Sequence, residues 1–312
     1  MKLLITGGAG CLGSNLIEYY LPKGIEIAVI DNFATGNREL VPSINGLQLF
    51  EGDCSDEKLV NKVFENFKPT HVIHSAASYK DPQNWKEDTI TNILGSITIA
   101  KACHFFGIQK LVNFQTALCY GRVKQVPIPI THPTQPFTSY GITKTAGEQF
   151  LLNAGLPVVS LRLANICGPR LSIGPIPTFY QRLKAGKSCF CSDSIRDFLD
   201  MNDFIELMDI VLFKAIDVTG VFNVSTGIGY KIKDIFDVVS NYLDINNLEV
   251  PIVPVGDDDV AEVVLDSAET YNKFKWKAKI SFEDTIINQL KWYDKHGVNN
   301  IFSHLANPIE NK

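Results

Sequence analysis

Several protein classes leave marks that this 312-residue sequence lacks. Positive charge is not in excess: 29 basic residues face 34 acidic ones, a formal net charge of −5. The chain therefore carries no global field to attract nucleic acid or an anionic bilayer. No apolar run approaches the roughly 20 residues needed to cross a membrane. The opening MKLLITGG has neither the long apolar segment nor the cleavage pattern of a secretory signal. Paired cysteine is missing too. The seven cysteines, at 11, 54, 103, 119, 167, 189 and 191, are odd in number and widely scattered, and Cys189 and Cys191 have no second pair at metal-ligand spacing. The expectation is a cytoplasmic protein with free thiols and no structural metal. In that setting the glycosylation triplet Asn223-Val224-Ser225 reads as a chance match.

What is present is an ordinary globular composition, 45% hydrophobic and 20% charged, and a length that accommodates a cofactor pocket and a substrate pocket in two joined domains. Residues 2–6, KLLIT, read as a buried strand running into GGAGCLG and then a helix. Gly7, Gly10 and Gly13 have the spacing that turns the chain sharply, lets the backbone approach a pyrophosphate and packs helix on strand. A second strand, EIAVID, ends at Asp31, whose carboxylate suits the hydroxyls of an adenosine ribose and disfavours a 2′-phosphate. NAD is therefore preferred to NADP, although Arg38 lies nearby. Asp53, after a third strand at 47–53, fits either an adenine contact or a helix cap. His74, within HVIHSAA, fits a packed, hydrogen-bonded histidine better than a base.

Further strands are expected at 71–77, 111–116 and 158–163, with helices around 56–66, 88–106 and 139–153 between them. This βα alternation predicts a mostly parallel, doubly wound sheet, and ligands gather at the carboxyl ends of such strands. Thr116 stands at one of those ends. Tyr140 and Lys144, four apart in SYGITKTAGEQF, share a helix face. An ammonium beside the phenol would lower its pKa and make Tyr140 a proton acceptor, while the Thr116 hydroxyl holds the substrate oxygen.

In the order TGGAGCLG, DNFATG, HSAA, TALCYG, YGITKTAGE, RLANICGP, IRDFLDMND and FNVSTG, the chain resembles the extended short-chain dehydrogenase/reductase family, particularly its nucleotide-sugar epimerases and dehydratases. The resemblance implies a Rossmann-like NAD domain over 1–168, a late segment at 217–230 returning to it, and a smaller α/β substrate domain made of 169–216 and 231–312. It places Thr116, Tyr140 and Lys144 in the catalytic triad positions. Gly7, Gly10, Gly13, Asp31, Asn32, Asp53, Tyr140 and Lys144 would contact NAD, and Asn165 and Arg196 the diphosphate or nucleotide of the sugar. It also implies a homodimer formed through the helices near 88–106 and 139–153.

The residues after Thr116 divide the family's reactions. Sugar 4,6-dehydratases carry an Asp-Glu pair there to perform elimination, whereas this chain has Ala117 and Leu118, which transfer no proton. The resemblance then implies NAD-dependent inversion at C4 of a UDP-hexose or modified UDP-hexose. Alternatives are a dehydratase or decarboxylase sharing the first oxidation, a reductase consuming NADH, and an inactive NAD- or nucleotide-sugar-binding protein. Two departures bear on the substrate. Gln115 replaces the serine common before the catalytic hydroxyl, and Pro254 stands where relatives often place a phosphate-binding arginine. Arg196 carries more of that duty in consequence, with an internal salt bridge as its other reading. Arg182, Lys184 and Lys187 are further basic candidates. The acids of GDDDV fit a solvated loop better than a metal site, and Trp292 and Tyr293 fit packing on a C-terminal helix.

Overall fold

A computed structural model describes residues 1–79, 81–245, 248–256, 259–299 and 301. Its first half alternates strand and helix: β1 (Lys2–Thr6), α1 (Cys11–Tyr20), β2 (Glu26–Asp31), β3 (Leu47–Glu51), α2 (Glu57–Phe67), β4 (His71–His74), α3 (Trp85–Asp88), α4 (Gly95–Phe106), β5 (Lys110–Thr116), α5 (Ser139–Leu152) and β6 (Val158–Leu163). A π-helical stretch at 89–94 joins α3 to α4. The rest contains β7 (Asn165–Cys167), α6 (Pro175–Lys184), β8 (Cys191–Ser192), β9 (Ile195–Arg196), β10 (Phe198–Asp200), α7 (Met201–Asp209), β11 (Gly220–Val224), β12 (Tyr230–Lys231), α8 (Ile232–Tyr242), β13 (Ile252–Val253), β14 (Glu262–Val263), α9 (Ala268–Phe274) and α10 (Phe282–His296).

Seven strands form one sheet in the order β11-β6-β5-β4-β1-β2-β3, parallel throughout. Successive side chains point to opposite faces of a strand. Leu3 and Ile5 accordingly enter a core on one side of the sheet with α1 and α7, while Leu4 enters another with α2 and α4. Coverage on both faces explains why β1 and β4 to β6 are buried almost without interruption. From β1 the order runs outward to β2 and β3 in one direction and to β4, β5 and β6 in the other. The crevice opens where that direction reverses.

β11 pairs with β6 from Gly220↔Val159 to Val224↔Leu163, so the late segment extends the large sheet. The smaller part is built of α6, α8 and α10 around a third core, with short strand pairs β7–β10, β8–β13 and β12-β9-β14. Tyr293 lies in that core and donates to the Leu171 carbonyl at 2.6 Å, while Trp292 stacks on His296. The division drawn from the sequence put 169–216 with the substrate part. Phe204, Leu207, Met208 and Val211 of that stretch pack in the core under the large sheet. Asn223 of the glycosylation triplet is buried, and every cysteine is free. No helix among the described residues is long and apolar enough to cross a membrane.

Candidate active site

A cavity of about 960 Å³ runs along the carboxyl ends of β1, β2, β4 and β5 and continues under the smaller part. Its dinucleotide-shaped end begins at Gly7, whose φ of +70° belongs to the left-handed region. A Cβ on Gly7 would stand 2.8 Å from the Ala76 backbone, and one on Gly13 would stand 2.6 Å from the Gly7 carbonyl oxygen. Both contacts are with main chain, so the turn and the first helix close on each other only with glycine at these positions. Gly10 is the N-cap of α1 and provides no side-chain cap. The first turn of the helix thus faces the cavity with its N–H groups open to an anion.

Asp31 is buried. Its Oδ2 accepts from the Ala9 amide at 2.8 Å and its Oδ1 from the Phe33 amide at 2.8 Å. Burial raises its pKa and these two amides oppose the rise. Asn32 donates to Asp53 Oδ2 at 2.8 Å, and Asp53 Oδ1 accepts from the Ser55 amide at 2.8 Å. Both residues line the cavity, with Asp53 also closing a turn; the cap of α2 is Asp56. Arg38 is paired with Glu51. His74 lies between the Thr6 hydroxyl at 2.8 Å and the Ser96 hydroxyl at 3.1 Å, and burial pushes its pKa down to about 3. It is a packed, neutral histidine.

Thr116, Tyr140 and Lys144 come together where the two ends of the cavity meet. Thr138 caps α5 by accepting from the Gly141 amide at 3.1 Å, which aims the first turn of the helix at the end of β5. Thr116 Oγ1 accepts from the Leu118 amide at 3.1 Å, and the side chain lies beside the Tyr140 phenol, close enough to act on its pKa. The expectation that Lys144 lowers the Tyr140 pKa is corrected here. Burial raises it above the usual phenol range, nearby Tyr79 and Asp88 add to the rise, and the neighbouring Thr116 side chain opposes it. Lys144 sits one turn further along the helix. Its own pKa is brought down to about 8 by burial, with Glu148 and Cys54 acting in the opposite direction.

Sequence reasoning missed the polar residues that brace this centre. Glu148 continues the Tyr140–Lys144 face by four more residues, a spacing that signals contact. It forms a buried ion pair with Arg162 at 2.8 Å and accepts from the Ser160 hydroxyl at 2.6 Å. Asp88 is also buried and lines the cavity; its carboxylate accepts from Ser78 at 2.8 Å and Ser139 at 2.6 Å. No motif joins positions 78, 88 and 139, because the end of α3 meets the start of α5 only in the folded chain. Cys119 is a buried thiol raised to about 12 by burial.

The substrate end is lined by Asn165, Arg182 and Arg196, among others. Asn165 Nδ2 donates to the Asp197 carbonyl at 2.9 Å. The guanidinium of Arg196 donates to Asp259 at 2.7 Å and to the Ile195 carbonyl at 2.9 Å, so the internal salt bridge is present in a residue that also faces the cavity. Lys184 is engaged elsewhere, with Tyr180 and Asp294. Pro254 is exposed. Asp257 and Asp258 of GDDDV lie outside the described residues, and no group of three metal-ligating side chains occurs among those described.

Comparisons with known proteins agree with this geometry. The sequence model of the NAD dependent epimerase/dehydratase family matches residues 3–225. The Bordetella bronchiseptica enzyme WbmG, solved with NAD and UDP, is 62% identical, with 97% of each chain covered and a TM-score of 0.92. A Thermus thermophilus UDP-glucose 4-epimerase solved with NAD is 30% identical over 95% of this chain and 100% of its own, with a TM-score of 0.85. A UDP-glucose 4-epimerase of Corynebacterium glutamicum is 30% identical, covering 92% of this chain and 94% of that protein.

Proposed function

The chain belongs to the NAD-dependent epimerase/dehydratase family, and from that premise we propose that it inverts C4 of a UDP-linked hexose or modified hexose through a keto intermediate. It is an NAD-dependent enzyme that modifies a nucleotide sugar. The observation that carries the finer reading is that Thr116, Tyr140 and Lys144 line one cavity that continues from the glycine turn to Arg196.

Gly7, Gly10 and Gly13 would admit the NAD pyrophosphate, Asp31, Asn32 and Asp53 would hold its adenosine, and Tyr140 and Lys144 its nicotinamide ribose. When bound, NAD supplies the acceptor, and later the donor, of the hydride at the sugar carbon. Tyr140 Oη takes the proton of the C4 hydroxyl, and Thr116 Oγ1 hydrogen-bonds to the same oxygen as it becomes a carbonyl. Lys144 places an ammonium one helical turn from that phenol. The positive charge of the oxidised cofactor opposes the cost that burial imposes on the phenolate. Once the keto sugar has turned over in the cavity, Tyr140 Oη returns the proton to the inverted alcohol.

Ala117 and Leu118 support epimerisation over 4,6-dehydration, because neither can transfer the proton that elimination needs. The nearby carboxylate of Asp88 is already committed to two serine hydroxyls. UDP is favoured by the WbmG complex with NAD and UDP, with Asn165 and Arg196 as the groups that would hold it. Leu94, Phe105, Ile142 and Phe150 expose apolar side chains along the 89–106 and 139–152 helices, which supports a homodimer joined there.

Mass spectrometry coupled to NMR on UDP-, GDP- and dTDP-linked sugars, including uronic and N-acetylated forms, tests the reading. The expected product has unchanged mass and inverted C4. Loss of water or carbon dioxide would make the protein a dehydratase or decarboxylase, and stoichiometric oxidation of added NADH a reductase. Absence of turnover across the panel, with NAD binding intact, would reopen the substrate and catalytic assignments.

A further inference from the structure

Resting on the catalytic reading above, we infer that Gln115 is a positioning residue whose side-chain amide fixes Thr116 against the helix that carries Tyr140 and Lys144. β4 accompanies β5 only as far as His74↔Asn113, whereas β5 runs on to Thr116 with β6 alone beside it. The last three residues of β5 therefore have no strand on the side where the cavity opens, and Gln115 supplies a local brace. Its Oε1 accepts from the Thr116 amide at 2.7 Å, and its Nε2 donates to the Lys144 carbonyl at 3.0 Å. One partner can only donate and the other can only accept, so the orientation of the amide is determined.

The side chain is buried, with 2% exposure, where a broken hydrogen bond leaves a group that water cannot recover. Strand and helix are thus joined at two levels one turn apart. Thr116 lies beside the Tyr140 phenol, and Gln115 is hydrogen-bonded to the backbone at Lys144. With the second tie in place, α5 can neither slide nor rotate against β5 without breaking a buried bond. A serine at this position would be too short to span both partners as this glutamine does.

Replacing Gln115 by methionine keeps the length and removes both hydrogen bonds. The expected result is a fall in kcat of about 10- to 100-fold, the range for displacement of a reacting group by on the order of 1 Å. KM for the UDP-sugar and affinity for NAD should stay within about two-fold. Gln115→Glu provides the conservative rescue. A protonated glutamic acid has one O–H to donate and one carbonyl to accept, so it can restore both ties, while the ionised form has no donor for the Lys144 carbonyl. The kcat of Gln115→Glu relative to wild type should therefore climb as pH falls, whereas Gln115→Met should show no such recovery.

A kcat within two-fold of wild type in Gln115→Met, or a Gln115→Glu ratio that does not change with pH, overturns the assignment. If wild type turns over no UDP-sugar, the function proposed above fails and the brace is judged by hydrogen exchange at the Thr116 amide. Acceleration of ten-fold or more in Gln115→Met upholds it, and unchanged exchange rejects it.

Discussion

Arg162→Met puts the largest single burden on the fold that can be worked from the site's surroundings. Glu148 is fully buried and the side chain of Arg162 is 7% exposed. The guanidinium reaches Glu148 Oε2 at 2.8 Å and the Tyr120 hydroxyl at 3.0 Å, and Tyr120 continues to Asn223 at 2.7 Å. Removing the arginine alone leaves a carboxylate in a dry interior with, among the described residues, Ser160 as its hydrogen-bonding side chain and Lys144 as a remaining counter-charge. Loss of one member of a buried pair costs about 3–5 kcal/mol. At roughly 2 °C per kcal/mol for a chain of this length, that corresponds to a fall of about 6–10 °C in Tm. The double variant Glu148→Leu/Arg162→Met removes the stranded charge as well and should recover much of the loss. Urea unfolding and thermal melts on the two singles and the double measure the coupling directly. A single variant within 1 kcal/mol of wild type, or a double as unstable as Arg162→Met, would refute the view that the stranded carboxylate is the cost.

Other consequences can be measured independently. Tyr140→Phe should keep NAD binding within a few-fold and lower turnover by at least about 100-fold, since it removes only the proton-transferring hydroxyl; near-normal kcat would reject its role. His74 is neutral when folded, with a pKa near 3 against 6.5 for the free side chain. The unfolded chain therefore binds the extra proton between those values, and stability falls as pH drops from about 6.5 towards 3, by up to ~1.4 kcal/mol per pH unit. His74→Gln should flatten that slope in urea titrations run at successive pH values, and an unchanged slope would show that other groups cause it. Arg196→Ala should weaken UDP binding about ten-fold or more by calorimetry while leaving NAD binding unaltered; equal affinities for UDP would remove Arg196 from the nucleotide site.

The large sheet was legible because its signals are local. Apolar runs ending in Gly7, Asp31 and Thr116 mark strands whose ends line a crevice, and a four-residue interval puts Tyr140 and Lys144 on one face. The smaller part resisted reading because its strands have two or three residues each, too few for any period to declare itself. The core that receives α7 was illegible for a related reason: an amphipathic helix says that it has a buried face but not which core receives it. Electrostatics was harder still. Spacing brings Lys144 near Tyr140, yet the depth of burial that dominates both pKa values is a property of the assembled cavity.

The placement of β11 limits how this enzyme can be taken apart. The strand arrives after the chain has already built α6 and α7, yet it completes the edge of the first sheet and brings Asn223 to Tyr120. Its neighbour Ser225 is tied in turn to Leu265 and Ser267. A fragment ending before residue 220 would expose the flank of β6 and forfeit the Asn223 contact to the Arg162 cluster. Exchanging substrate specificity between relatives by transplanting the C-terminal half as one cassette would therefore replace part of the scaffold along with the pocket. A chimaera that retains 220–224 from the recipient, and splices on either side of it, is the arrangement that should yield a soluble hybrid.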